Sequence, residues 1–215
     1  MVEARWPPAR NETTVTGSLP YVVRSRRLIL RSHSESEIVR LAAEFGWRLL
    51  AEESRDDERL GRRTVLWQVF PGLMVGYYAE PRVRVPALIV RSVSNCDDVD
   101  DVVSILRAKL TFLEDDELLA NVSTVTTTEE LVAALLLLGF GVPVHFNQRY
   151  FDILSASSRD AREEVRSATV WAIAYAEWGQ FIPVLKTLAS SDKSRSVRKL
   201  AKGVLRVFAG MRLSA

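Results

Sequence analysis

Two stretches lying 32 residues apart share one pattern, Asp160-Ala-Arg-Glu-Glu-Val165-Arg166 and Asp192-Lys-Ser-Arg-Ser-Val197-Arg198. Each is an aspartate, four residues, then Val-Arg. Each runs on into a helical pattern, with Ala168 and Ile173 in one and Ala201 and Leu205 in the other. Each also follows a shorter amphipathic stretch, FDILSASS before the first and FIPVLKTLASS before the second. Such a recurrence constrains the fold strongly, because a repeated helix pair cannot bury its apolar face alone and needs a neighbour stacked on it. The aspartate is placed to cap the helix that follows and to complement its positive end, while the valine packs inward. Helices are expected at about 147–156, 159–177, 181–190 and 194–211, with Val165 and Val197 buried and equivalent.

This arrangement resembles the HEAT repeat family, whose units are two antiparallel helices with Asp and Val-Arg near the start of the second. The resemblance covers 147–208, and its offset is somewhat shorter than the family's usual repeat. Pro183, near the start of the first helix of its unit, suits a first turn and is frequent in that family. The resemblance implies that the arginine after the valine sits at the loop edge, within reach of a neighbouring unit's carboxylate. Arg166 with Asp192 is then the expected pair, partly exposed and worth about 0.2–1 kcal/mol. Arg198 has no later aspartate to meet and is expected to be free for a partner. The apolar helix at 128–139 reads as half of a further unit. Two and a half units ask for a cap, either the N-terminal layer docked on Leu131–Leu138 or a homodimer burying that helix.

Ahead of this region the pattern is different. Residues 1–18 show no periodicity and read as a mobile arm. Strands are expected at 21–31, 47–51, 64–70, 73–78 and 83–90, with Pro71-Gly72 and Glu80-Pro81-Arg82 as turns. Pro86 suggests an edge strand or a bulge, and ESRDDERLGRR reads as a charged loop. A Ser34/Glu37 capping pair starts a helix that Gly46 stops, and 97–113 reads as a second helix. The fold class is α+β: a small antiparallel sheet with helices N-terminally, then a short HEAT-like α-solenoid. The expected divisions are an arm at 1–18, an α+β domain at 19–122 and a helical repeat domain at 123–215.

The 29 basic and 27 acidic residues give a net charge of +2, so the totals lend nucleic-acid binding no support. The single cysteine, Cys96, rules out an intrachain disulfide. No signal peptide is visible, and the longest apolar run, Leu131–Phe140, is about half a membrane span. A cytoplasmic location with no membrane association is expected.

Catalytic motifs are lacking. His33 and His145 do not share metal-ligand spacing, and Cys96 has acidic neighbours rather than a base. No phosphate loop, nucleophile elbow or HExxH pattern occurs. Asp97, Asp98, Asp100 and Asp101 read as helix N-terminal carboxylates, and Glu114–Glu117 as a solvated helix end. No catalytic residue, metal or cofactor is expected. The best candidate surface is basic: Arg159, Arg162 and Arg166 on one unit, and on the next Arg195, Arg198, Lys199, Lys202 and Arg206, which fall on one helical stripe. The expected function is a non-enzymatic protein–protein interaction module (an adaptor, an inhibitor or immunity-type protein, or an assembly factor) that holds a protein partner through this stripe. Nucleic-acid binding through the same stripe is the second expectation, and a lyase or other enzyme on a HEAT-like scaffold the third.

Overall fold

The computed structural model describes residues 23–32, 34–55, 62–94 and 96–210, so the expected arm at 1–18 and His33 lie outside the described residues. The fold is α+β. Strands β1 (Val23–Arg24) and β2 (Leu28–Ile29) precede helix α1 (Glu35–Glu44). Strands β3 (Arg48–Arg55), β4 (Arg62–Phe70), β5 (Leu73–Ala79) and β6 (Pro86–Ser92) follow, and then helix α2 (Asp97–Lys109). Every pairing is antiparallel, in the order β1-β6-β5-β4-β3, with β2 also on the free side of β6. Ser34 and Glu37 form the expected capping box on α1. Gly46 ends the turn after it with φ +67°, a left-handed conformation natural to glycine.

Strand alternation sends Val65, Trp67, Val75, Tyr77, Leu88 and Val90 to one face. There they share a core with Ile38 and Leu41 of α1 and Val99, Val102 and Leu106 of α2. Each fully buried large side chain contributes about 1.5–3 kcal/mol, enough to make this layer a solid base for the rest of the chain.

Several sequence expectations need correction here. The stretch 83–85 lies in a turn; the strand starts at Pro86 and is central in the sheet, not an edge. Proline is tolerated there because it is the first residue of the strand. Within the run expected as one strand at 21–31, the described residues form two short strands on one partner. The segment 53–63, expected as a charged loop, is strand at its described ends: Glu53 pairs opposite Thr64, Ser54 opposite Arg63 and Arg55 opposite Arg62. Cross-strand charge pairing explains this, since the Arg63 guanidinium donates to Glu35 at 3.1 Å and to Glu52 at 2.6 Å. Helix α2 stops at Lys109, and Phe112 instead bridges Leu30.

The helices of the second half are α3 (Asp115–Thr124), α4 (Thr128–Phe140), α5 (Gln148–Ser157), α6 (Glu163–Ala176), α7 (Ile182–Ser191) and α8 (Arg195–Gly210), with a single 3-10 turn at Gly179–Phe181. Helix α3 was not foreseen; Glu114–Glu117 is its largely exposed, capped start. Glu114 and Glu117 form a capping box, and Asp115 receives hydrogen bonds from Tyr150 and Arg26. Leu118 and Leu119 then join the helical core, so the boundary expected at 122/123 falls inside α3.

Helix α4 is covered by its own chain. It buries Ala134, Leu135, Leu136, Leu138, Gly139 and Phe140, in a core that runs from Leu118 to Phe208 and takes in Ile29, Val83 and Ala87 from the sheet half. Against α6 the approach is very close: a Cβ on Gly139 would stand 2.4 Å from the Ala172 Cα. A cluster of arginines before β2 ties the halves together. Arg24 donates to Glu177 at 2.8 Å, Arg27 to the Tyr175 carbonyl at 2.9 Å, and Arg26 to both Asp115 and the Gly141 carbonyl.

Candidate binding face

Loop chemistry repeats as faithfully as the sequence does. The Asp160 carboxylate accepts the Arg162 N–H at 2.8 Å, and the Asp192 carboxylate accepts the Ser194 N–H at 2.8 Å, the same two-residue closure in both units. This closure delays α6 to Glu163, later than expected. Six residues after each aspartate, an arginine donates through Nη1 to the aspartate's own carbonyl: Arg166 to Asp160 at 2.9 Å, and Arg198 to Asp192. Val165 and Val197 are both fully buried.

Between the units the aspartate and arginine meet. Arg166 Nε donates to Asp192 Oδ2 at 2.7 Å and Nη2 to Oδ1 at 3.0 Å, a bidentate pair. The side chains are only 5% and 3% exposed, so the pair is buried rather than partly exposed as expected. The Arg166 hydrogen bonds hold the Asp192 carboxyl below its ordinary value. Two further contacts lock the loops: Lys193 Nζ donates to the Ala161 carbonyl at 2.8 Å, and the Ser194 hydroxyl to Glu163 at 2.6 Å. Asp160 has no arginine from a preceding unit and takes Arg162 of its own loop instead, at 2.9 and 2.8 Å. That guanidinium holds its carboxyl down to about 2.

Helix α8 starts under Ser194, whose hydroxyl accepts the Ser196 N–H at 3.1 Å. It turns Val197, Ala201, Val204 and Phe208 into the core. The side chains of Arg195, Arg198, Lys199, Lys202 and Arg206, the residues singled out in the sequence, line one shallow groove of about 370 Å³. Arg195, Lys199, Lys202 and Arg206 are exposed and Arg198 half-buried. None of the five meets a carboxylate among the described residues. The sequence did not reveal that α7 supplies the other bank: Lys186, Ala189 and Ser190 face Arg198, Lys202 and Leu205 across a continuation of the groove. Arg159 and Arg162 sit apart from it, at the α5–α6 loop.

A second concavity, of about 400 Å³, opens between the other face of the sheet and the ends of α4 and α6, walled by Arg27, Tyr78, Ile89, Arg91, Phe140 and Tyr175. Its cations serve the fold. Arg27 holds Tyr175 and Glu177, and burial pushes its pKa down; Arg91 lies over the Tyr78 ring at 5.3 Å. Burial, reinforced by Glu80, pushes the Tyr175 phenol up to about 12, too high for a base near neutral pH. This cleft escaped sequence reading because its walls come from segments far apart in the chain.

The remaining candidates are placed plainly. Cys96 is exposed at the start of α2 with its thiol on Asp97 at 3.7 Å, and Asp97, Asp98 and Asp100 fill the first turn of that helix. His145 is exposed in the α4–α5 connection. Among the described residues no three His, Cys, Asp or Glu side chains cluster to hold a metal, and no helix is long and apolar enough to cross a membrane. No protein-family model, curated protein or solved structure matches this chain.

Proposed function

We propose that this chain is a non-enzymatic interaction module, cytoplasmic, whose α5–α8 region is a short HEAT-like repeat and whose basic α8 face holds an acidic protein partner. One observation carries the reading: five cations share one groove without a carboxylate among them, while elsewhere the arginines of this fold are largely spent on internal partners. Uncompensated like charges raise the potential of a face and steer an opposite one onto it. A partner that neutralised them would relieve that repulsion.

The test compares the full chain with a Lys199→Glu/Lys202→Glu/Arg206→Glu variant, matched for melting temperature, as bait in extracts of the native host. A protein retained by the first and lost by the second, with capture weakened by added salt and insensitive to nuclease, is the expected result. Retention by both baits, or capture that nuclease abolishes, would count against the reading, and the latter would favour nucleic acid.

A further inference from the structure

The basic stripe has a position in the repeat, and that position says what should lie on it. Shifting by the repeat offset places Arg195 on Glu163, Arg198 on Arg166, Lys199 on Ser167, Lys202 on Val170 and Arg206 on Ala174. In the first unit this stripe is the side turned to the second: Glu163 takes the Ser194 hydroxyl, Arg166 grips Asp192, and Val170 is fully buried. On α8 the same stripe therefore faces the place where a third unit would stack. The chain has turned that surface from one of balanced charge, with Glu163 against Arg166 and Val170 buried, into a wholly cationic one.

The hydrogen bonds of Arg198 show the same difference from Arg166. Its Nη1 fulfils the inward half of the role, on the Asp192 carbonyl. Its Nε and Nη2, the atoms that in Arg166 grip the next unit's carboxylate, bond nothing among the described residues. A guanidinium fork held from one side and open on the other is pre-shaped for a bidentate carboxylate.

Resting on the protein-partner reading above, we propose that the α7–α8 end is a docking seat for a helical hairpin of an acidic protein partner. The partner continues the stack as a third unit: a loop aspartate enters the Arg198 fork, and a helix behind it sets carboxylates against Lys199, Lys202 and Arg206 at three- and four-residue spacing. The charge reversal from Glu163 to Arg195 extends the same logic to the loop, because the incoming loop meets a donor where the second unit met an acceptor. Recognition is by register as well as by charge, which separates this seat from a merely basic patch.

Two synthetic two-helix peptides built on the 180–210 hairpin serve as probes, read by fluorescence anisotropy against the full chain. The first keeps the loop aspartate and carries glutamates on the face turned to the stripe. The second has the same composition and net charge, with the loop aspartate exchanged for an asparagine of the opposite face and the glutamates moved to that face. The first should bind at least about tenfold tighter, and Arg198→Gln should bring it down to the second probe's level while leaving the second unchanged. Equal binding of the two probes, binding of neither, or tighter binding of a duplex DNA oligonucleotide overturns the proposal. A native partner lost on Lys199→Glu/Lys202→Glu/Arg206→Glu but kept by Arg198→Gln would leave the acidic-partner reading standing while removing the fork. Concentration-dependent self-association of the chain abolished by Arg198→Gln would likewise overturn it, in favour of a second copy as occupant.

Discussion

Arg166 and Arg198 follow the same Val-Arg motif and differ only in what stands beyond them. Removing one member of a buried ion pair leaves the other charged, desolvated and alone, which costs about 3–5 kcal/mol. Arg166→Gln is therefore expected to lower stability by roughly that amount in urea denaturation, well above the loss expected of a partly exposed pair. Arg198→Gln, with one side of its fork already in solvent, should change stability by less than about 0.5 kcal/mol. Similar losses at both sites would refute the asymmetry. Acid provides an independent readout. The Asp192 carboxyl is depressed in the folded state by Arg166, so its contribution is complete above the ordinary value of 3.8 and disappears as pH falls through the lower folded value. The stability gap between the native chain and Asp192→Asn should be full at pH 6 and narrow below pH 3.8. A gap that widened in acid would contradict the pairing.

At the scale of elements, two helical glycines make opposite predictions. Alanine is normally the better helix former by about 1 kcal/mol. On α8, a Cβ at Gly203 would have nothing within 4 Å, so Gly203→Ala should stabilise the chain by about 0.5–1 kcal/mol. On α4, the Cβ of Gly139→Ala would press on the Ala172 backbone, and overpacking of that kind costs about 1–3 kcal/mol. Thermal melts of the two variants should move in opposite directions, and a stabilising Gly139→Ala would mean that α4 and α6 are not held this close. How far the sequence could be read shows in the same elements. The 128–139 helix, the Ser34 cap and the Val165/Val197 equivalence were legible because helical period and capping chemistry are local. Helix α3 was not, because its cap is a glutamate rather than one of the preferred N-cap residues, and Arg26, Tyr150 and Arg31, which also hold its start, are far from it in the chain. The stripe on α8 was readable residue by residue, and so was the freedom of Arg198, yet its bank from α7 was not.

For the whole molecule, the question is whether sheet and helices unfold together. Ile29, Val83 and Ala87 belong to the helical core, and Arg24, Arg26 and Arg27 reach across to Glu177, Asp115 and Tyr175. One cooperative transition is expected. Fluorescence from a variant keeping Trp67 in the sheet core should therefore superpose on that from one keeping Trp178 in the helical core. Two separated midpoints would show independent halves. The sequence by itself determined the α+β division, the helical C-terminal half and the five-cation stripe, since each follows from period, capping and spacing within a few turns of chain. Only the tertiary structure decided that the Arg166–Asp192 pair is buried, that β6 is central despite Pro86, and that Arg198 is half-buried with one nitrogen on the Asp192 carbonyl. Burial, strand order and the bond that holds Arg198 depend on which distant segments come to lie together, and that is set by the packing of whole elements rather than by any local pattern.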